Sequence, residues 1–122
     1  FQSFDQKVIG VRMATEAEKY IMEKFPSHQI VHANRNEELY QLLIAGEIDV
    51  VIDDSPIAGG FLQKYKQLQL GMFMPGTHSQ YAIAMRKGDH ALQIQINQTL
   101  KGLKENGFYQ KLYKKWFNQI EL

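Results

Sequence analysis

The sequence predicts an α/β fold with a mostly parallel sheet flanked by helices, and three observations predict it. Short apolar runs alternate with amphipathic helical stretches at βαβ spacing from residue 7 to residue 65. Start and stop signals for helices stand at the junctions between them. The chain has 122 residues, 44% of them hydrophobic, enough for one domain with a core of its own.

Each element has a local reason. "KVIGVRM" (7–13) reads as a strand. "ATEAEKYIMEKF" (14–25) reads as a helix, with Thr15 and Glu18 at capping-box spacing and Pro26–Ser27 as its stop. "QIVHA" (29–33) is a second strand. "NRNEELYQLLIAG" (34–46) is a helix with Asn34 as N-cap, Leu39, Leu42 and Leu43 on one face, and Gly46 closing it. "IDVVI" (48–52) is the third strand. Ser55 and Pro56 then supply an N-cap and a proline at the first helical position, so "PIAGGFLQKY" is expected to be helical, although Gly59 and Gly60 weaken it. "LQLGMF" (68–73) and "YAIAMRKG" (81–88) read as a fourth and a fifth strand, the second with a turn, and "PGTHSQ" as a loop between them. Two helices end the chain. In the first, Asp89 is the cap, Leu92, Ile96, Leu100 and Leu103 form the stripe, and Asn106–Gly107 is the stop. In the second, Phe108, Leu112 and Trp116 share a face.

Composition narrows the function classes. No apolar run approaches the roughly 18 residues of a membrane span. Phe1 is not a natural start, so the chain reads as a trimmed or excised piece whose address has been cut away. With no cysteine, disulfides and Cys-based zinc sites are excluded. Residues 1–80 carry net −3 and residues 81–122 net +4. The lysines of the basic part are spread along helical patterns beside aromatics, which reads as a solvated helix face and not as a nucleic-acid surface. The four histidines, His28, His32, His78 and His90, lack metal-ligand spacing, although His28 and His32 read as neighbours on one strand face. No metal site, catalytic residue or cofactor is expected, and there is no phosphate loop.

In open parallel sheets, ligands bind beyond the carboxyl ends of the strands, next to helix N-termini. Three features are expected there. Thr15, Glu16 and Ala17 open a helix whose N–H groups and dipole favour an anion; an ordinary N-cap is the alternative. Arg12 ends the first strand and can pair with a carboxylate, whether a ligand's or that of Glu16 or Asp53. Asp53 and Asp54 follow the third strand, where they either accept from an ammonium group or cap the helix at Ser55–Pro56. A nest for a carboxylate and an acid for an ammonium make half of an α-amino-acid site, which suggests binding, since no nucleophile or metal completes a mechanism.

"KVIGVRMATEAEKYI", "GEIDVVIDDSP" and "YAIAMRKGDHALQIQINQTLKGLKENGFYQKLYKKWF" resemble the later half of the solute receptors of polar amino-acid ABC transporters. The ending is the most specific part: Tyr81, Ala84, Lys87, Gly88, Leu92, Asn97, Leu100, Gly107, Tyr109, Leu112, Lys115, Trp116 and Phe117 follow the family pattern. The resemblance runs from residue 5 to about residue 117 and implies a type II periplasmic-binding-protein-like lobe. Residues 6–80 would be lobe two, and residues 81–122 a return strand and two helices that complete lobe one, whose N-terminal part has no counterpart in this chain.

The resemblance also implies site residues. Ala14, Thr15 and Glu16 match the "G-T-[TS]" nest that holds the ligand carboxylate; Thr15 is kept, whereas Ala14 and Glu16 depart, and Glu16 sets a negative charge beside that carboxylate. Asp54 matches the aspartate that takes the ligand ammonium, and Asp53 a position lining the pocket in some members. Arg12 matches a Gln/Lys position that covers the ligand side chain. The implied ligand is a polar or cationic amino acid, and the implied partner an ABC permease at the membrane, outside the cytoplasm. The apolar faces of the last two helices lead to an expectation of association, such as a homodimer. Three alternatives remain: a sensing domain of a glutamate-receptor-like channel or sensor kinase, an enzyme such as a cyclohexadienyl dehydratase or a peptidoglycan lyase with this module fused, and a module that binds nothing.

Overall fold

A computed structural model describes residues 6–74, 77 and 80–117, together with the backbone but not the side chain of Phe117. Most of the expected loop over 75–80, His78 included, lies outside the described residues. The chain divides into two compact units between Leu70 and Gly71.

The first unit alternates strand and helix: β1 (Ile9–Arg12), α1 (Glu16–Lys24), β2 (Ile30–Ala33), α2 (Asn36–Ala45), β3 (Val50–Ile52) and α3 (Ser55–Lys64). The strands form one parallel sheet in the order β2-β1-β3. Its register sets Gly10 between Val31 and Val51, and Val11 between His32 and Ile52. Alternation along a strand then divides the residues between two faces. Gly10, Val31, Ala33 and Val51 share the face on which α2 packs Leu39, Leu42 and Leu43. Ile9 and Val11, 1% and 0% exposed, turn to the opposite face, where α1 contributes the fully buried Ile21.

Gly10 is required by that packing. A Cβ there would stand 2.5 Å from Ile48 Cδ1 and 3.0 Å from Leu39 Cδ2, and both neighbours are buried. Gly46 closes α2 at φ 77°, a left-handed conformation that glycine adopts without strain. Asp49, the polar break in the third apolar run, accepts from Val8 N–H at 2.8 Å and pairs with Lys7 at 3.3 Å. It therefore ties β1 to the entry of β3, and these two bonds hold its carboxyl below the usual range.

α2 and α3 are clasped to each other. The Tyr40 ring stacks on Phe61 with centroids 3.9 Å apart and planes 12° from parallel, and Tyr65 continues the stack. At its outer end Glu37 accepts from Lys64 Nζ at 2.8 Å and from the Tyr65 hydroxyl. Those donors pull the Glu37 carboxyl down to about 2.

The second unit contains α4 (His90–Glu105) and α5 (Phe108–Phe117), which pack together. Asp89 caps α4 by accepting from Leu92 N–H at 3.2 Å, as its spacing predicts. Asn106 and Gly107, with Gly107 at φ 76°, separate the two helices. α4 has no buried residue; Ile96, Leu100 and Leu103 are half-buried, while Leu92, Ile94, Phe108, Leu112 and Trp116 are exposed.

Several expectations need correction. The runs 68–73 and 81–88 are not strands: among the described residues they join no ladder, and a strand exists only against a neighbour that completes its hydrogen bonds. Arg35, not Asn34, occupies the N-cap of α2, without a side-chain bond. Asp54, not Ser55, occupies the N-cap of α3; helical geometry starts one residue earlier and moves Pro56 to the second position. His28 and His32 are not neighbours on a strand. His28 lies in the turn after α1, edge-on to Phe25 with centroids 5.3 Å apart, while His32 belongs to β2.

Candidate functional site

The candidate site gathers at the carboxyl edge of the sheet. β1 and β3 are adjacent and parallel, and their last register pair is Val11 with Ile52. Arg12 and Asp53 therefore leave neighbouring strands side by side, and the chain turns at once into α1 from one and α3 from the other. A parallel sheet with short βα turns delivers both helix N-termini to one edge.

The turn into α1 is tightly organised. Ala14 adopts φ 58°, left-handed geometry that an L side chain rarely takes. This accounts for the glycine in the family pattern and for the strain of alanine in its place. Thr15 is extended and caps the helix, its oxygen accepting from Glu18 N–H at 3.2 Å while its hydroxyl donates to Arg12 C=O at 2.7 Å. Glu18 completes a variant of the capping box: its carboxylate reaches back to Ala14 N–H at 2.8 Å, one residue before the cap. The other Glu18 oxygen lies 2.7 Å from His32 Nδ1 on β2. The Ala14 N–H bond, and after it His32, hold the Glu18 carboxyl below its ordinary value. Glu16 is exposed in the first turn.

The two aspartates have different surroundings. Asp53 is half-buried; one oxygen accepts from Asp54 N–H at 2.8 Å and the other lies 3.4 Å from the Tyr40 hydroxyl. Burial pushes its carboxyl up to about 6, against the pull of the Asp54 N–H, the Tyr40 hydroxyl and the Arg12 charge. Asp54 is exposed, and its carboxylate makes no bond to α3 although it stands at the cap position. Arg12 is exposed too and, among the described residues, forms no ion pair with Glu16 or Asp53; its charge acts on Asp53 from a distance. The edge thus presents exposed charges of both signs, Asp54 and Glu16 with Arg12, beside a helix N-terminus that favours anions.

All six sequence-selected residues, Arg12, Ala14, Thr15, Glu16, Asp53 and Asp54, lie on the strand ends, turns and first helical position of this edge. Tyr40, Glu18 and His32 join them and were not selected. Glu18 was legible as a capping residue only. His32 reaches it because β2 lies beside β1, and Tyr40 reaches Asp53 because α2 covers their shared face, neither of which linear spacing reveals. Among the described residues no group of three or more His, Asp or Glu side chains is placed to hold a metal ion, and no helix is long and apolar enough to cross a membrane.

A parallel α/β sheet with two helix starts at one carboxyl edge sets the fold class, and comparison with known proteins supplies the family. Residues 5–119 match the bacterial extracellular solute-binding proteins, family 3, and the chain belongs to that family. It is 34% identical over 113 residues to the ABC transporter glutamine-binding protein GlnH of Bacillus subtilis (strain 168), covering 93% of this chain and 41% of that protein. Among solved structures, an ancestral cationic amino acid solute-binding protein superposes with a TM-score of 0.79 at 34% identity, covering 93% of this chain and 48% of that one. The amino acid ABC transporter substrate-binding protein AbpA of Streptococcus pneumoniae, bound to L-arginine, superposes with a TM-score of 0.77 at 28% identity, covering 96% of this chain and 50% of that one. The fold is that of the type II periplasmic binding proteins, and the chain spans about half the length of the relatives it matches.

Proposed function

We propose that this chain is the second lobe and return segment of an extracytoplasmic receptor that captures a polar or cationic amino acid and delivers it to an ABC permease. In this reading Asp54 accepts from the ligand ammonium, and the turn Ala14–Thr15–Glu16 receives the ligand carboxylate at the start of α1. Arg12 and Asp53 flank the ligand side chain. Residues 6–80 serve as lobe two and residues 81–122 return to lobe one. The work is capture and a population shift to a closed form, with no bond made or broken.

The observation that carries the reading is the pair of exposed, opposite charges at one sheet edge: Asp54, whose side chain makes no cap bond to α3, and Arg12, which forms no ion pair with Glu16 or Asp53 among the described residues. Family membership supports it, as do the amino acids that the relatives bind, glutamine for GlnH and L-arginine for AbpA. A thermal-shift panel of the proteinogenic amino acids, ornithine and citrulline on the full-length gene product tests it. The expected outcome is a rise in melting temperature confined to one chemical class, since a ligand at about a hundred times its dissociation constant stabilises the native state by about 2.7 kcal/mol. A flat panel on well-folded protein overturns the amino-acid reading.

A further inference from the structure

We infer that Tyr40 is a positioning residue of this site: its hydroxyl orients the Asp53 carboxylate, which in turn fixes the backbone of Asp54. The inference rests on the reading of Asp54 as the ammonium acceptor. Its geometry is a relay across three elements. The Tyr40 hydroxyl on α2 lies 3.4 Å from one Asp53 oxygen, and the other Asp53 oxygen accepts from Asp54 N–H at 2.8 Å. The Tyr40 ring is only 4% exposed and is held flat against Phe61 of α3. A clamped ring holds its hydroxyl in place before any ligand arrives, so no rotamer freedom is lost when the carboxylate is needed.

Asp53 is faced by Arg12 from β1, by Tyr40 from α2 and by Asp54 at the entry to α3. Burial and the Asp54 charge favour its neutral form, while the Asp54 N–H, the Tyr40 hydroxyl and the Arg12 charge favour the ionised form, with the balance at about 6. Burial and the neighbouring Asp53 push the Tyr40 phenol well above its ordinary range, so it remains a donor at neutral pH. Removing the hydroxyl therefore shifts Asp53 toward its neutral form. A neutral Asp53 has less attraction for a cation and a weaker hold on the Asp54 N–H.

The test is calorimetric titration of the full-length gene product with L-arginine and with L-glutamine, from about pH 5 to about pH 8, beside Tyr40→Phe, which keeps the ring and its stack. Binding is expected to tighten as pH rises through about 6 in the wild type. In Tyr40→Phe that step is expected about half a unit or more higher, so that binding is about twofold or more weaker near pH 6 and converges with the wild type toward pH 8. In Asp53→Asn the step is expected to vanish. An equal loss at every pH marks a merely structural tyrosine and overturns the inference, as does an unchanged profile. A wild type that binds neither amino acid overturns the reading of the site. The Asp53 carboxyl is then followed by NMR without ligand, and an unchanged midpoint in Tyr40→Phe overturns the Tyr40–Asp53 link independently.

Discussion

Ala14 sits at φ 58° in the turn that opens α1, with its N–H bonded to Glu18 and its methyl group exposed. Left-handed geometry costs an L residue roughly 1–2 kcal/mol, and glycine escapes that cost while losing more freedom on folding. Ala14→Gly is therefore expected to stabilise the chain by about 0.5–1 kcal/mol, read as a higher urea midpoint with an unchanged slope. A lower midpoint would mean that the turn is not strained. At this scale the sequence was partly legible. Arg12, Thr15, Asp53 and Asp54 stood out because charge or capping chemistry at strand ends has few uses. The positive φ of Ala14 was not visible in the residue itself, and only the family's glycine pointed to it. The sequence left Arg12 open between a ligand and Glu16 or Asp53, and among the described residues it forms no ion pair with either acid, although both are close in sequence or register.

The order β2-β1-β3 makes β1 the central strand, and Gly10 is where the side chains of Ile48 and Leu39 leave no room for a Cβ. Gly10→Val would drive a branched side chain into Ile48 and Leu39, which are 3% and 0% exposed. Overpacking of a closed core costs typically 1–3 kcal/mol, so a fall in stability of about that size is expected in denaturant unfolding. A neutral Gly10→Val would contradict the packing described. The helices were legible because each has its own periodicity and its own signals: Thr15 at the start of α1, Gly46 at the end of α2, Asp89 before α4. Cap positions slipped by one residue at Arg35 and Asp54, since the N-cap is defined by backbone angles and several neighbouring residues could fill it. The runs 68–73 and 81–88 failed for a different reason. Their residue pattern suits a strand, but strand pairing is a property of two segments and no neighbour pairs with them among the described residues.

At the scale of the molecule, the parallel sheet of the first unit brings two adjacent strand ends and two helix starts to one edge, and the chain belongs to a family of extracellular solute-binding proteins. The α2–α3 clasp of Tyr40, Phe61, Tyr65, Glu37 and Lys64 holds the C-terminal half of α3 against α2, and Asp54 stands at the other end of that helix. Sequence spacing alone could not reveal this arrangement, because its members come from two helices separated by β3. The central claim is that the exposed, uncapped carboxylate of Asp54 takes the ammonium of an amino acid. The most direct test is calorimetric titration of the full-length gene product with L-arginine and L-glutamine, wild type beside Asp54→Ala. The account predicts one-to-one binding of at least one of them, weakened roughly thirtyfold or more in Asp54→Ala, as expected when a charged hydrogen bond worth about 2 kcal/mol or more is removed. Binding of equal strength in both proteins, or none in a well-folded wild type, would contradict it.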